Sequence, residues 1–271
     1  MMAVKTLIIR TAGTNCDQET KFAFERAGSE VSLLHINRVN EQPSLLAEHQ
    51  ILALPGGFSY GDDIAAGKIL ANELRTGLAD QLKEFVDGQK KLIIGICNGF
   101  QVLVKTGLLP GPFSRDVEQT VTLTFNDSNK FEDRWVYLRA DSDKSPFIRK
   151  GQMIYLPGEP GEGKFVTNDE ATLNAIRNND QVVFRYVDAE GNAGAPYPVN
   201  PNGSVDDIAG ICDTTGRVLG LMPHPERHVL PTHHPRWTRD GLKDEGDPPL
   251  SREGDASSHW LLVDYGGVIV H

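Results

Sequence analysis

The sequence predicts an α/β protein: an open, largely parallel sheet flanked by helices, with antiparallel strands added. Three observations predict it. Short β-branched runs alternate with helical patterns through the first hundred residues, and strands alternating with helices imply the crossovers that build parallel sheets. The run Leu92-Ile93-Ile94-Gly95-Ile96 is apolar throughout, as a strand covered on both faces must be. After about residue 115 the texture changes to shorter β-like runs.

Taken in order, residues 4–10 are β-branched and end in Thr11-Ala12-Gly13-Thr14-Asn15. A helical pattern with Phe22, Ala23, Phe24 and Ala27 follows and is closed by Gly28. Residues 31–35 and 51–54 read as the next strands, the latter stopped by Pro55-Gly56-Gly57. Residues 65–87 carry helical spacing at Leu70, Leu74, Leu78, Leu82 and Phe85, and the strand 92–96 comes next. The runs 120–125, 135–138, 153–156, 182–187 and 218–222 are expected as antiparallel additions and later sheet strands of the same domain.

The 271 residues, 39% of them hydrophobic, are read as one domain. Residues 231–254, rich in Pro, Gly and charge without a sustained period, are expected to be a surface insertion or lid. The net charge of -10 comes with no dense basic cluster, which argues against a nucleic-acid ligand. The first twenty residues lack the apolar core of a signal peptide, about 7–15 residues long. No run approaches the roughly 18 residues of a membrane span. Three cysteines at wide spacing, Cys16, Cys97 and Cys212, fit a reducing cytoplasm better than a disulfide framework.

The sharpest chemical signal is Gly95-Ile96-Cys97-Asn98-Gly99, set between the apolar strand and an amphipathic helical run. This is the nucleophile-elbow pattern with sulfur in place of oxygen. Small residues at 95 and 99 permit a tight turn that exposes Cys97, and the N-terminus of the following helix favours a thiolate over the roughly 8.5 pKa of a free thiol. The alternative is a small buried hydrophobe at a strand end.

A cysteine nucleophile needs a base, itself held by a third group. His224 in Met222-Pro223-His224-Pro225-Glu226 lies just past an apolar strand, on the edge where open α/β sheets gather their sites. The flanking prolines stiffen its loop, and Glu226 can accept a bond from the imidazole. The alternative is a solvated loop histidine. Pro55-Gly56-Gly57 can aim a backbone N–H into the same region, which with the N–H of Asn98 would make an oxyanion hole worth a few kcal/mol per donor. A turn needing positive φ would use the same residues.

Together, Pro55-Gly56-Gly57-Phe58-Ser59-Tyr60-Gly61-Asp62, Gly95-Ile96-Cys97-Asn98-Gly99-Phe100-Gln101 and Pro223-His224-Pro225-Glu226-Arg227 resemble the class I glutamine amidotransferases. Within them, and with Asn200-Pro201-Asn202-Gly203-Ser204 and Ile208-Ala209-Gly210-Ile211, the likeness is to the glutaminase subunits of phosphoribosylformylglycinamidine synthases. It covers roughly residues 4–230. It implies a Rossmann-like fold, Cys97, His224 and Glu226 as the triad, Gly57 and Asn98 as oxyanion donors, and Gln101 as a contact to bound L-glutamine. It also implies a synthetase partner that takes the ammonia and carries ATP and magnesium, with room for a small third subunit and no cofactor in this chain. In two respects the sequence departs from the family. Pro160 precedes Gly161-Glu162-Gly163 where the family has histidine, and the tail from Pro231 is longer than the family's ending.

Other signals are weaker. Gly158-Glu159-Pro160-Gly161-Glu162-Gly163-Lys164-Phe165 approaches a phosphate-binding loop, but Phe165 cannot ligate magnesium and the chain continues as strand where that loop needs a helix. His224, His228, His233 and His234 suggest a metal, but Pro223, Pro225, Pro231 and Pro235 exclude a helical face to gather them, so no metal is expected. Cys16, with no elbow and no nearby base, and Cys212 are read as structural. Two rival functions remain: an amidotransferase or related cysteine hydrolase acting on a different acceptor or amide, and a non-catalytic regulatory module.

Overall fold

The computed structural model describes residues 3–114, 116 and 118–237, together with the backbone of Ser251–Glu253 and Leu262–Asp264. Thirteen strands are present among them: β1 (Lys5–Arg10), β2 (Glu30–His35), β3 (Ile51–Leu54), β4 (Leu92–Ile96), β5 (Val121–Thr124), β6 (Arg134–Ala140), β7 (Met153–Gly158), β8 (Lys164–Thr167), β9 (Val182–Val187), β10 (Ile208–Cys212), β11 (Val218–Leu221), β12 (Ser251–Glu253) and β13 (Leu262–Asp264). Six α-helices lie among the described residues: α1 (Asp17–Arg26), α2 (Ile36–Glu41), α3 (Lys68–Gly77), α4 (Ala79–Lys83), α5 (Asn98–Thr106) and α6 (Glu170–Asn178).

Nine strands form one sheet in the order β2-β1-β3-β4-β11-β10-β9-β6-β7. The first five are mutually parallel, and the remaining pairs are antiparallel. β5 and β8 make a separate antiparallel pair, as do β12 and β13. The expected parallel sheet with antiparallel additions is therefore present.

β4 lies inside the sheet, between β3 and β11. All of β3 and four of the five residues of β4 are buried, as are Leu7, Ile8 and Ile9 of β1. Burying a Leu or Ile side chain stabilises by about 1.5–3 kcal/mol, so this continuous apolar layer fixes the sheet and the register of everything built on its edge. Because β1, β3, β4 and β11 run parallel as neighbours, their carboxyl ends open on one edge. There they release the loops that begin at Thr11, Pro55, Cys97 and Met222.

The structure corrects the helical reading in two places. The pattern over 65–87 is not one helix: α3 ends at Gly77, Leu78 has φ -130°, and α4 continues into a short wide turn, Glu84–Gly88. Gly77 lies against Asn40 so closely that a Cβ would come 2.6 Å from its Oδ1. The apolar spacing survives this break because Leu70, Leu74, Leu78, Leu82 and Phe85 are all buried. The helix after the elbow, α5, is not two-faced. Every residue from Asn98 to Thr106 except Lys105 is buried, between the main sheet and β5.

α6 is a further helix, capped by Asp169, whose carboxylate accepts from the Thr172 N–H at 2.7 Å. Of the proposed insertion, Pro231–His233 is a single 3-10 turn, and the His234 ring packs on Trp135 and Tyr155. The rest of that segment, 238–250 and 254, lies outside the described residues, apart from the 251–253 strand. No helix among the described residues is long and apolar enough to cross a membrane.

Candidate active site

Cys97 connects β4 to α5 at φ 51°, ψ -107°. A positive φ in a non-glycine residue costs on the order of 1 kcal/mol or more and persists only where the surroundings impose it. Here they do. The Cys97 N–H donates to Leu221 O at 2.8 Å, locking the turn onto β11. A Cβ on Gly95 would meet Gly99 O at 2.6 Å, and one on Gly99 would meet Leu54 O at 1.9 Å. The sequence therefore makes the turn with glycines because strand, helix and the neighbouring β3 approach too closely for any side chain.

His224 enters from the end of β11. Its N–H donates to Pro157 O at 2.8 Å, and its Nδ1 lies 2.7 Å from Glu226 Oε1. Both side chains are almost fully buried. Burial alone would push the imidazole pKa down. The Glu226 carboxylate and the neighbouring Cys97 override it and hold the ring well above its ordinary value. The sulfurs of Cys97 and Cys16 both approach the ring and raise its basicity, yet Nε2 has no well-directed hydrogen-bond partner among the described residues.

A cavity of about 280 Å³ opens over these groups, lined among others by Cys16, Gly57, Cys97, Gln101 and His224. Glu226 stands behind His224. Gly57, at φ 125°, can only be glycine: a Cβ would meet Asn15 N at 2.6 Å. The N–H groups of a first helical turn have no intrahelical acceptor, which leaves that of Asn98 available at the elbow. The Asn98 side chain is a fastener. Its Oδ1 accepts from Ser59 N at 3.1 Å, while its Nδ2 donates to Asp62 Oδ1 at 3.0 Å and Gln101 Oε1 at 2.9 Å. Gln101 in turn donates to Glu162 O at 2.8 Å. Its amide thus ties the elbow to the 159–163 loop.

That loop keeps its place with Pro160 at the family's histidine position. Asn126 Nδ2 donates to Pro160 O at 2.7 Å, and Gly163 N donates to Asn126 Oδ1 at 3.0 Å. Glu162 and Asp62 line the cavity, and burial pushes both carboxyl groups up in pKa. Neither was singled out from sequence, since nothing local marks an acid that reaches a site across the fold. Lys164, the lysine of the apparent phosphate-binding loop, pairs with Asp127 at 2.5 Å.

Cys16 requires a correction. Its loop follows β1, the neighbour of β3, and its sulfur sits beside His224 and Glu226, so a base is close by. Arg227 Nη2 donates to Cys16 Sγ at 3.3 Å, and the same guanidinium pairs with Glu159 and lies 3.6 Å from Glu19. Burial pushes the Cys16 thiol up in pKa, with His224 opposing. The signal that would have found it was the strand-end rule already applied to Gly57 and His224. Cys212 is buried in β10, and burial pushes its thiol up to about 12.

A sulfur, an imidazole and a carboxylate in this order can shuttle one proton between a thiol and a leaving group. Glu226→Gln is expected to lower the His224 pKa, read by imidazole NMR titration; identical titrations would show that Glu226 does not set it. The sign follows from linkage. A histidine raised in the folded state stabilises the fold fully below its unfolded pKa, and that contribution is lost as pH rises through the folded value. In the variant the contribution is expected to be smaller and its loss to be complete at lower pH.

Residues 3–255 match the family described as CobB/CobQ-like glutamine amidotransferase domain. The chain is 52% identical to phosphoribosylformylglycinamidine synthase subunit PurQ of Dehalococcoides mccartyi over 91% of this chain and 94% of that one. It is 43% identical to the subunit of the same name from Methanococcus maripaludis, over 87% of each chain. Among solved structures it is similar to a chain of PurLQS from Thermotoga maritima, with a TM-score of 0.67, 31% identity and coverage of 89% of this chain and 97% of that one.

Proposed function

This chain belongs to the CobB/CobQ-like glutamine amidotransferase family, and from that premise we propose that it is the glutaminase subunit of a phosphoribosylformylglycinamidine synthase. The identity to the PurQ subunits over nearly the whole of both chains supports this reading. The single observation that carries the chemistry is the meeting of Cys97 and His224 on the wall of one cavity, with Glu226 behind the ring at 2.7 Å from its Nδ1.

The Cys97 thiolate attacks the side-chain amide carbon of L-glutamine. The developing oxyanion is met by the N–H groups of Gly57 and Asn98. His224 gives its proton to the nitrogen, the C–N bond breaks, and ammonia leaves a glutamyl thioester. His224 then takes a proton from water, which attacks the thioester and releases glutamate. Glu226 orients the ring and stabilises its charged form. Asp62 and Glu162 offer carboxyl oxygens on the cavity wall to the α-ammonium of a free amino acid. Ammonia is mostly protonated and unreactive in neutral water, so it must pass directly to a synthetase partner. The similarity to a chain of PurLQS supports such a complex. ATP and Mg²⁺ belong in this reading to the partner, and a small third subunit completes the assembly.

An isolated glutaminase would waste glutamine, so the partner is expected to accelerate hydrolysis. The lever is the oxyanion loop around Gly57: Gly56 O accepts from Cys16 N at 3.4 Å, and the paired glycines permit the Gly56–Gly57 peptide, which carries the Gly57 N–H, to turn over. Steady-state glutamine hydrolysis with and without the synthetase tests the reading. A large rise on adding the partner is expected, and equal rates would refute the coupling.

A further inference from the structure

The chemistry above uses His224 and Glu226 but leaves Cys16 without a task. Among the described residues, Cys16, His224 and Glu226 form the group of histidine, cysteine and acidic side chains whose ligand atoms all lie within 4.8 Å of one another. Each residue is only 2% exposed. Buried polar atoms ordinarily find a hydrogen-bond partner, yet Oε2 of Glu226 has none among the described residues, while Oε1 of the same carboxylate faces Nδ1 of His224 at 2.7 Å. The third potential ligand, the Cys16 sulfur, receives one hydrogen bond from Arg227 and is not in a disulfide.

We propose that Cys16, His224 and Glu226 form a binding site for one thiophilic divalent cation, such as Zn²⁺ or Cd²⁺, and that its occupancy switches the cysteine chemistry off. One sulfur, one imidazole nitrogen and one carboxylate oxygen are a donor set that such cations accept. Cys16 and His224 line the cavity, which gives the cation a path from solvent. Ligand bonds of about 2.0–2.3 Å require the group to draw together from its present outer spacing, a movement within reach of the Cys16 side chain. The charges also balance. A dication with a Cys16 thiolate and the Glu226 carboxylate is neutral beside neutral His224, and the adjacent Arg227 is already compensated by Glu159. Water or a small anion can take the fourth position.

Binding itself does not depend on the glutaminase reading, whereas the inhibitory consequence rests on it. A cation on Nδ1 takes the place of the proton that His224 shares with Glu226, and so takes from the ring the orienting carboxylate and the charged form that the thioester steps need. Cys97 is not a ligand in this proposal, and that separates it from ordinary metal poisoning of a nucleophile.

The test is a titration of the full chain with Zn²⁺ and Cd²⁺, followed by calorimetry and by the ultraviolet thiolate-to-cadmium charge-transfer band, with no substrate present. One cation per chain is expected. Cys16→Ser is expected to weaken binding at least about tenfold, whereas Cys97→Ala should bind nearly as tightly as the parent. Bound Zn²⁺ should also shield Cys16 of the unmodified chain from maleimide, read by peptide mass spectrometry, so the answer does not rest on a variant that must fold. Undiminished binding by Cys16→Ser, loss of binding in Cys97→Ala, or unshielded Cys16 would each overturn the site. A chain that binds the cation through Cys16 but does not hydrolyse glutamine would uphold the site and refute the glutaminase reading.

Discussion

Cys97→Ala is expected to abolish glutamine-dependent synthesis by the complex, with a loss on the order of 10⁴- to 10⁶-fold in hydrolysis, while synthesis from added ammonium salts continues. The two half-reactions separate because the ammonium route bypasses the thioester. His224→Ala should behave in the same way. Glu226→Ala should be milder by roughly one to two orders of magnitude, since an orienting carboxylate contributes less than the groups it serves. Rates of product formation from glutamine and from ammonium, measured on the same assembled complex, check all three. Loss of both reactions in Cys97→Ala, with the complex intact, would mean that Cys97 acts in the synthetase step or its architecture.

Gly99→Ala is expected to have a large effect for a single added methyl group. Its Cβ would lie 1.9 Å from the carbonyl oxygen of Leu54 and 2.7 Å from its carbon. Both are backbone atoms of β3, buried on all sides, so neither can swing aside. Alanine gains up to about 1 kcal/mol in helix propensity, but separating α5 from β3 enough to admit it works against dense packing at about 1–3 kcal/mol or more. The shift also moves the elbow relative to Gly57, and a displacement near 1 Å in a catalytic group can cost about 10²-fold in rate. A lower thermal midpoint with a drop in glutamine hydrolysis is expected. An unchanged midpoint and rate would show that the close approach of α5 to β3 is not needed.

What could be read from the sequence was what is encoded locally. The apolar run at 92–96, the glycines on either side of Cys97 and the prolines around His224 each constrain a few neighbouring residues, and together they located the elbow and the base. The strand-end rule then put Gly57, Cys97 and His224 on one edge. Other features arise only when distant segments meet. The Asn98 side chain bridges Ser59 and Asp62 across the fold, and no periodicity announces it. Cys16 and Arg227 are 211 positions apart and touch because β1, β3, β4 and β11 are neighbours in space. The break at Leu78 escaped notice because the buried stripe keeps its spacing across it. The burial of α5 on all sides was hidden as well, since Asn98 and Gln101 look like surface residues until their amides are seen to bind one another.

Two thiols flank His224, and only one of them carries the chemistry. Cys97 stands at the helix N-terminus in a strained turn, whereas Cys16 lies against Arg227 in a loop. The direct test is to mix the complex with glutamine, quench in acid during turnover, and locate the covalent glutamyl group by peptide mass spectrometry. A single glutamyl thioester on Cys97, absent from Cys97→Ala, is the expected result. A glutamyl group on Cys16, or turnover with no adduct on Cys97 at any quench time and undiminished in Cys97→Ala, would contradict the account.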